Sequence, residues 1–500
     1  MGPRQRVDLD PGNSRQKQAA RGGRSTVNIS HVSIWKRALA ALLATTALST
    51  GASAADSHDA ATQTPIKHVV IIFQENSSFD HYFATYPTAA NPPGQPQFVA
   101  QDDTPTVNGL TAGLLTLNPN SVNPRRLDRV ASDVVTCSND HDYTDEQKAV
   151  DGGLMDNFNI LSCADNLALD YYDGNTVTAV WNYAQHFAIN DNSFGTTFGP
   201  STPGAINLVS GQTHAIGTFK TLDNAAGNLT KGDALLAPVN TIIGDPDPIY
   251  DDCGSPAQAG YEANGAIDNH NVGDLLNQKG ITWGWFQGGF APTSMAGGKA
   301  VCGATTVGHP GVDPGNPADP IHNPISAYSA HHNPFMYYLH SANPHHLPPT
   351  TPANVGKTDQ AMHQYELSLF FDAVDHGRMP AVSLLKAARA QDGHPSNSDP
   401  LSEQMFLVDT INHLQRSAEW ADTAVIIAWD DSDGWYDHIT GPILNPSNVP
   451  NVDVVGGSDC GKPAAGAYLG RCGYGPRLPL LVVSPWAKRN SVDHTTTDQT

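Results

Sequence analysis

The chain has 500 residues, with 27 Lys/Arg against 49 Asp/Glu and a formal net charge of −22. A surface this acidic excludes nucleic acid and anionic membrane as docking partners, since both carry the same sign of charge. Beyond residue 54 no apolar run approaches the ~18 residues of a membrane span, which excludes stable membrane insertion.

Residues 1–34 are polar, rich in Gly, Arg and Ser, and carry no apolar periodicity. Trp35-Lys-Arg37, the apolar Ala38–Leu48 and Ala52-Ser-Ala54 then follow the order of a secretory signal peptide. Residues 1–54 therefore read as an N-terminal extension plus signal, cleaved after about Ala54, and the long preamble suggests a start codon downstream of Met1. Cleavage leaves 446 residues with 19 Lys/Arg and 47 Asp/Glu, a net charge of −28. Residues 55–500 are expected to form one domain, secreted or periplasmic.

The first strand is expected at Val69–Phe73, followed at once by Glu75 and Asn76. Phe79, Tyr82, Phe83 and Tyr86 have helical spacing and read as core. Residues 91–126, rich in Pro, Asn, Gly and Thr, read as a long surface loop. The six cysteines are even in number and include no CxxC pair, which disfavours zinc-finger and thioredoxin readings. Three disulfides in an oxidising compartment are expected. Pairing of sequence neighbours, 137–163, 253–302 and 460–472, is the one adopted among 15 possible connectivities.

His141 stands just before a helical stretch, where a lone histidine is ordinarily structural. Thr176–Phe187 is amphipathic. In Gly199-Pro-Ser-Thr-Pro-Gly204 the hydroxyls of Ser201 and Thr202 lie between two prolines, a stiff turn that fixes side-chain direction. A nucleophile needs such presentation, but so does any tight loop. Residues 215–350 read as a loop-rich cap around one strand, Gly280–Gln287. The adjacent His331 and His332 can reach one site only from a loop or a helix start, because in a strand they would face opposite ways. His345-His346 reads as solvated.

Asp359–His376 is expected as a helix and Met379–Leu385 as a strand, with His394 just past the strand's end. The amphipathic helix Leu401–Leu414 feeds a second buried strand, Thr423–Trp429, completing a βαβ unit. That strand breaks into Asp430, Asp431, Asp433 and Asp437, with Gly434 allowing a tight turn. Four carboxylates within eight residues repel unless a cation sits among them, and a divalent metal suits such hard oxygens. A single acidic pair would read as a solvated turn. Two strands ending in oxygen ligands change that reading, because ligands collect beyond the carboxyl ends of strands in open α/β sheets. A last strand is expected at Leu478–Ser484, and a polar end without a final helix suggests a truncated C-terminus.

Several of these segments, in order, resemble the bacterial phosphoesterase family of secreted phospholipases C and acid phosphatase A. They are Ile66-Lys-His-Val-Val-Ile-Ile-Phe-Gln-Glu-Asn-Ser-Ser-Phe-Asp-His-Tyr-Phe, Asp151-Gly-Gly-Leu-Met-Asp-Asn-Phe, Gly199-Pro-Ser-Thr-Pro, His331-His-Asn-Pro-Phe, Asp392-Gly-His-Pro, Asp430-Asp-Ser-Asp-Gly-Trp-Tyr-Asp-His and Gly475-Pro-Arg-Leu-Pro. The resemblance runs from about residue 66 to the end. It implies an alkaline-phosphatase-like α/β fold: a doubly wound, mostly parallel sheet with helices on both faces. It also implies one divalent metal ion, held by Glu75, Asn76, Ser201, Asp430 and Asp431. Ser201 matches the family nucleophile, and His141, His331, His332 and His394 match residues around the substrate phosphate. The chain departs from the family at Pro203-Gly204, where many members have Pro-Asn.

The implied chemistry is in-line attack by a metal-activated serine, a phosphoseryl intermediate and hydrolysis by water. The substrate is then a phosphate-ester small molecule or a phospholipid head group. An acid-phosphatase-like phosphomonoesterase is the reading adopted, with a phospholipase C as the alternative. A non-catalytic metal- or glycan-binding exported protein is the reading from another class, and the full set of ligands and nucleophile speaks against it.

Overall fold

The computed structural model describes residues 62–214, 241–255, 267, 270–307, 324–454 and 460–500. The signal-like segment and parts of the expected cap (215–240, 256–266 and 308–323) lie outside the described residues.

Among the described residues the largest sheet has eight strands: His68–Gln74 (β1), Ala188–Asn190 (β2), Trp283–Gln287 (β3), Gln364–Glu366 (β4), Val382–Lys386 (β5), Thr423–Trp429 (β6), Leu480–Val483 (β7) and Ser491–Asp493 (β8). Their spatial order is β8-β2-β7-β6-β1-β5-β3-β4. Neighbours run parallel except where β7 lies antiparallel to β6 and β2. The apolar runs seen in the sequence are thus the central strands, which are covered on both faces as parallel strands require.

Alternate residues of those strands face two helical layers. Val70, Ile72, Leu385, Val425 and Ile427 pack with the helices Thr178–His186, Ser368–Asp375 and Pro400–Arg416. Ile71, Val382, Leu384, Trp283 and Trp285 pack with Ser201–Ser210 and Val272–Lys279. The fold is therefore α/β, a mostly parallel sheet with helices on both faces. The crossover from β5 to β6 is the 17-residue helix Pro400–Arg416. Its start is fixed by Pro400 at the first turn and by Asp399, whose carboxylate accepts from the backbone N–H of Leu401 and Ser402.

Two expectations need correction. Asp359–His376 is not one helix: Gln364–Glu366 forms the edge strand β4, and the helix begins at Ser368. The open edge of β3 supplies a parallel partner for Gln364, and that pairing outweighs local helical preference. His346 is not solvated either. It is buried, with Nε2 at 2.8 Å from Asp251 Oδ1 and Nδ1 at 2.7 Å from the Phe290 carbonyl. His345 alone is exposed, paired with Asp252.

All three expected disulfides are formed, Cys137–Cys163, Cys253–Cys302 and Cys460–Cys472. No helix among the described residues is long and apolar enough to cross a membrane.

Candidate active site

β1 and β6 are adjacent and in register, Gln74 opposite Trp429. Each strand stops at the same level, so Glu75 and Asn76 meet Asp430 and Asp431 across a separation of more than 350 residues. The Asn76 backbone N–H donates to Asp430 Oδ1 at 3.1 Å. Asn76 adopts a left-handed conformation (φ 57°), which turns its amide back into the site, and Asn tolerates this better than most residues. Asp430 Oδ1 also accepts from the Asp431 N–H, and Asp431 Oδ1 from the Asp433 N–H. Gly434 closes this turn at φ +66°, and a Cβ there would meet the Asp140 carbonyl at 2.3 Å.

Ser201 arrives from the other layer as the first residue of its helix, rather than from an isolated turn. Its Oγ lies 3.1 Å from Glu75 Oε2 and 3.0 Å from Asp431 Oδ2. Glu146, from the helix Tyr143–Val150 that follows His141, holds this arrangement. One of its oxygens accepts from the Gly199 N–H and the other from the Ser432 hydroxyl. Asp245 accepts from the Thr202 N–H at 2.8 Å, so Thr202 turns its amide to the cap loop and its hydroxyl towards Tyr337.

The four histidines divide. His332 Nδ1 is 3.1 Å from Glu75 Oε1 and 3.9 Å from Asp392 Oδ2. His331 stands one step out, its Nδ1 at 3.2 Å from Asp247 and its ring 4.3 Å from that of His332. Both come from the loop ahead of the short helix Pro334–Tyr337, as the geometry of adjacent residues demanded. His141 and His394 stand beside Asp433, with ring centroids 6.3 Å apart. His141 Nδ1 donates to the Asn139 carbonyl at 2.8 Å, and Asp433 Oδ1 is 3.6 Å away. The structure thus brings Glu75, Asn76, Ser201, Asp430, Asp431 and His332 into contact, sets His141 and His394 beside Asp433, and leaves His331 one step out against Asp247.

Burial and charge divide these groups further. Burial works against the His141 imidazolium, yet Asp431 and Asp433 override it and raise the group to about 10. Burial, assisted by His141, pushes His394 down to about 3, and burial with His331 pushes His332 well below its usual value. Burial, then Asp430, raises both Glu75 and Asp431. Carboxylates held this way gain most from a cation among them. The donor set fits one: Asn76 Oδ1 and Asp430 Oδ2 are buried oxygens without a hydrogen-bond partner, and with Glu75, Asp431 and Ser201 the set is entirely oxygen.

Sequence reasoning missed Lys386, the last residue of β5. Its ammonium is buried, ion-paired with Glu75 Oε1 and 3.7 Å from Asp430 Oδ2. It also missed a layer beneath the site. The buried Arg477 guanidinium donates to Asp80 and Asp437, and His438 Nδ1 pairs with Asp80. These four residues lie inside the quoted motifs, so part of each motif is scaffold.

The model of the Phosphoesterase family matches residues 66–500. Phospholipase C A of Mycobacterium tuberculosis is 23% identical over 458 residues, covering 86% of this chain and 71% of that protein. The non-hemolytic phospholipase C of Pseudomonas aeruginosa is 24% identical over 449 residues, 87% of this chain and 52% of that protein. Non-specific phospholipase C1 of Arabidopsis thaliana is 31% identical over 139 residues, 26% of this chain and 24% of that protein. Among solved structures, a protein in the alkaline phosphatase superfamily from Vibrio parahaemolyticus aligns with a TM-score of 0.30 and 10% identity, covering 88% of this chain and 64% of that one. The family model spans the strand ends, the Ser201 helix and all four histidines, and the chain belongs to the Phosphoesterase family, as a hydrolase of phosphoric esters.

Proposed function

We propose that this hydrolase acts through Ser201 as nucleophile, with one divalent metal ion, on the phosphodiester of a phospholipid head group. The observation that carries it is the position of Ser201 Oγ, within 3.1 Å of carboxylates from both strand ends. The relatives reported above bear phospholipase C names, which moves the favoured substrate from a phosphomonoester to a lipid phosphodiester.

A divalent ion held by Glu75, Asn76, Ser201, Asp430 and Asp431 would lower the pKa of the Ser201 hydroxyl and offset charge on the phosphoryl oxygens. The chain's own groups do the rest. Ser201 stands at the positive end of a 10-residue helix, which favours an anionic phosphoryl group there. The Oγ–P bond forms as the P–O bond to the leaving group breaks, the Ser201 proton passing to one of the two carboxylates its hydroxyl faces, Glu75 or Asp431. His141, held as an imidazolium with Nδ1 committed to Asn139, offers its other N–H to the departing alkoxide. Such proton transfer is worth ~10²–10⁴ in rate. Neutral His394 and His332, with His331 beside them, orient the phosphoryl oxygens and the water that later hydrolyses the phosphoseryl group. Export to an oxidising compartment is part of the proposal, supported by the signal-like residues 35–54 and three disulfides.

Purified protein assayed on phosphatidylcholine and on p-nitrophenyl phosphate tests the substrate. Diacylglycerol release lost in Ser201→Ala is the expected result. Turnover of p-nitrophenyl phosphate alone would replace the lipid with a phosphomonoester.

A further inference from the structure

Lys386 ends β5 with its ammonium 1% exposed, and a charged amine is almost never buried so completely without a dedicated partner. Its partners are Glu75 and Asp430, one from each of the two strand ends that form the candidate metal site. Its Nζ lies over the Phe73 ring, 5.3 Å from the centroid, so the amine meets an aromatic face as well as carboxylates.

The two carboxylates divide their oxygens by direction. Glu75 Oε1 faces Lys386 and His332, while Oε2 faces Ser201. Asp430 Oδ1 is spent on the backbone N–H groups of Asn76 and Asp431, leaving Oδ2 towards Lys386. Asp392, also buried, is a further acidic group close by. One divalent ion supplies two positive charges against the four carboxylates Glu75, Asp430, Asp431 and Asp392; His141 faces Asp431, and Lys386 supplies a second cation, fixed in the fold, to Glu75 and Asp430.

We propose that Lys386 is a positioning residue that serves as this second, built-in cation. It shares Glu75 and Asp430 with the metal, holds their side chains in place, and restricts the site to one ion of moderate affinity. This inference rests on the metal site proposed above. An ammonium a few ångströms from a divalent ion repels it, so removing the amine raises cation affinity while exposing four carboxylates to each other in the metal-free protein.

The test uses Mn²⁺ binding to the full-length mature protein, read by electron paramagnetic resonance of free Mn²⁺, together with thermal unfolding with and without Mn²⁺. Wild type is expected to bind one ion. Lys386→Met is expected to bind about tenfold tighter or more, or to take a second ion. It should unfold at lower temperature than wild type without metal and recover most of that loss with it. Lys386→Arg, which keeps the charge, should bind near the wild-type level. Equal Mn²⁺ affinity and stoichiometry in wild type and Lys386→Met would overturn the proposal. So would a Lys386→Met protein that stays insoluble in excess Mn²⁺ while Lys386→Arg folds, since the amine's role would then be structural alone. Wild type that binds no Mn²⁺ would take down the metal site itself, and this inference with it.

Discussion

Ser201 Oγ stands 3.0 Å from Asp431 Oδ2, although 230 residues of chain separate them. One is the first residue of a helix on one face of the sheet, and the other lies just past the end of a central strand. The hydroxyl can approach so closely because the helix start is pinned twice. Glu146 ties Gly199 to Ser432, and Asp245 accepts the Thr202 N–H.

Replacing Ser201 by Ala is expected to remove most turnover while leaving thermal stability near wild type, because one site hydroxyl contributes little to folding, and the four remaining ligands should still retain metal. Acid-quenched enzyme given ³²P-labelled substrate should carry label on the peptide containing Ser201. Thr202→Ala should be much milder, since its hydroxyl faces Tyr337. Label on a histidine, or near-normal rates in Ser201→Ala, would move the attack elsewhere.

Asp431→Ala is expected to lose both bound metal and activity yet remain folded. Asp430→Ala differs in kind. Asp430 Oδ1 accepts two backbone N–H groups, so its loss should also destabilise by about 1–3 kcal/mol for the buried donors left unpaired. Metal content by atomic emission, alongside denaturant unfolding, separates the two variants. Prolonged chelation of wild type should abolish activity, and added divalent ion should restore it.

Arg477 is fully buried, bridging Asp80 and Asp437 and donating to the carbonyls of Asn108 and Asp191. Arg477→Met removes the guanidinium shared by two buried carboxylates and leaves His438 as the remaining partner of Asp80, and a loss of about 3–5 kcal/mol is expected. Its guanidinium touches none of the residues assigned to catalysis. The variant should therefore fall in stability and folded yield, with kcat per folded molecule largely retained. A selective loss of kcat at unchanged stability would put Arg477 in the chemistry instead.

What the sequence made legible followed from periodicity meeting chemistry. Two apolar runs ending in Glu75-Asn76 and Asp430-Asp431 could be read as strand ends, and parallel pairing in register brought them together. The histidines gained meaning only from motif order, for each alone has an ordinary structural reading. Lys386 escaped because a lysine closing an apolar run normally marks the emergence of a strand into solvent. His346 escaped for the opposite reason: its burial depends on Asp251, 95 residues earlier, which no local pattern reveals. Gln364–Glu366 became a strand only because β3 offered an edge.

The His346–Asp251 pair gives a pH test remote from the metal ligands. Burial lowers the His346 pKa, but Asp251 outweighs it and the folded value is raised above the unfolded ~6.5. A raised histidine contributes stability that is full below the unfolded value and lost as pH rises through the folded one. The difference in melting temperature between wild type and His346→Gln should therefore be largest below pH ~6.5 and shrink as pH rises above it. A constant difference across that range would mean that packing, not charge, holds the histidine.

Gly204 lies in the first turn of the Ser201 helix, where the chain departs from the Pro-Asn of many family members. A Cβ at this position would stand 2.3 Å from the Asp430 carbonyl oxygen and 2.9 Å from its carbon. Here the helix is packed directly onto the end of β6, leaving no room for a side chain, so an amide in the same place would require the helix to sit farther from Asp430. Gly204→Ala must push the two backbones apart, and because neither is a flexible side chain the strain cannot be relieved locally. A loss of about 1–3 kcal/mol is expected from overpacking. The same displacement carries Ser201 away from Glu75 and Asp431, so kcat should fall at least tenfold in molecules that remain folded, with the phosphoseryl label falling in parallel. An alanine variant with wild-type stability and kcat would show that the helix can withdraw without cost, and that its close approach to Asp430 does not set the position of the nucleophile.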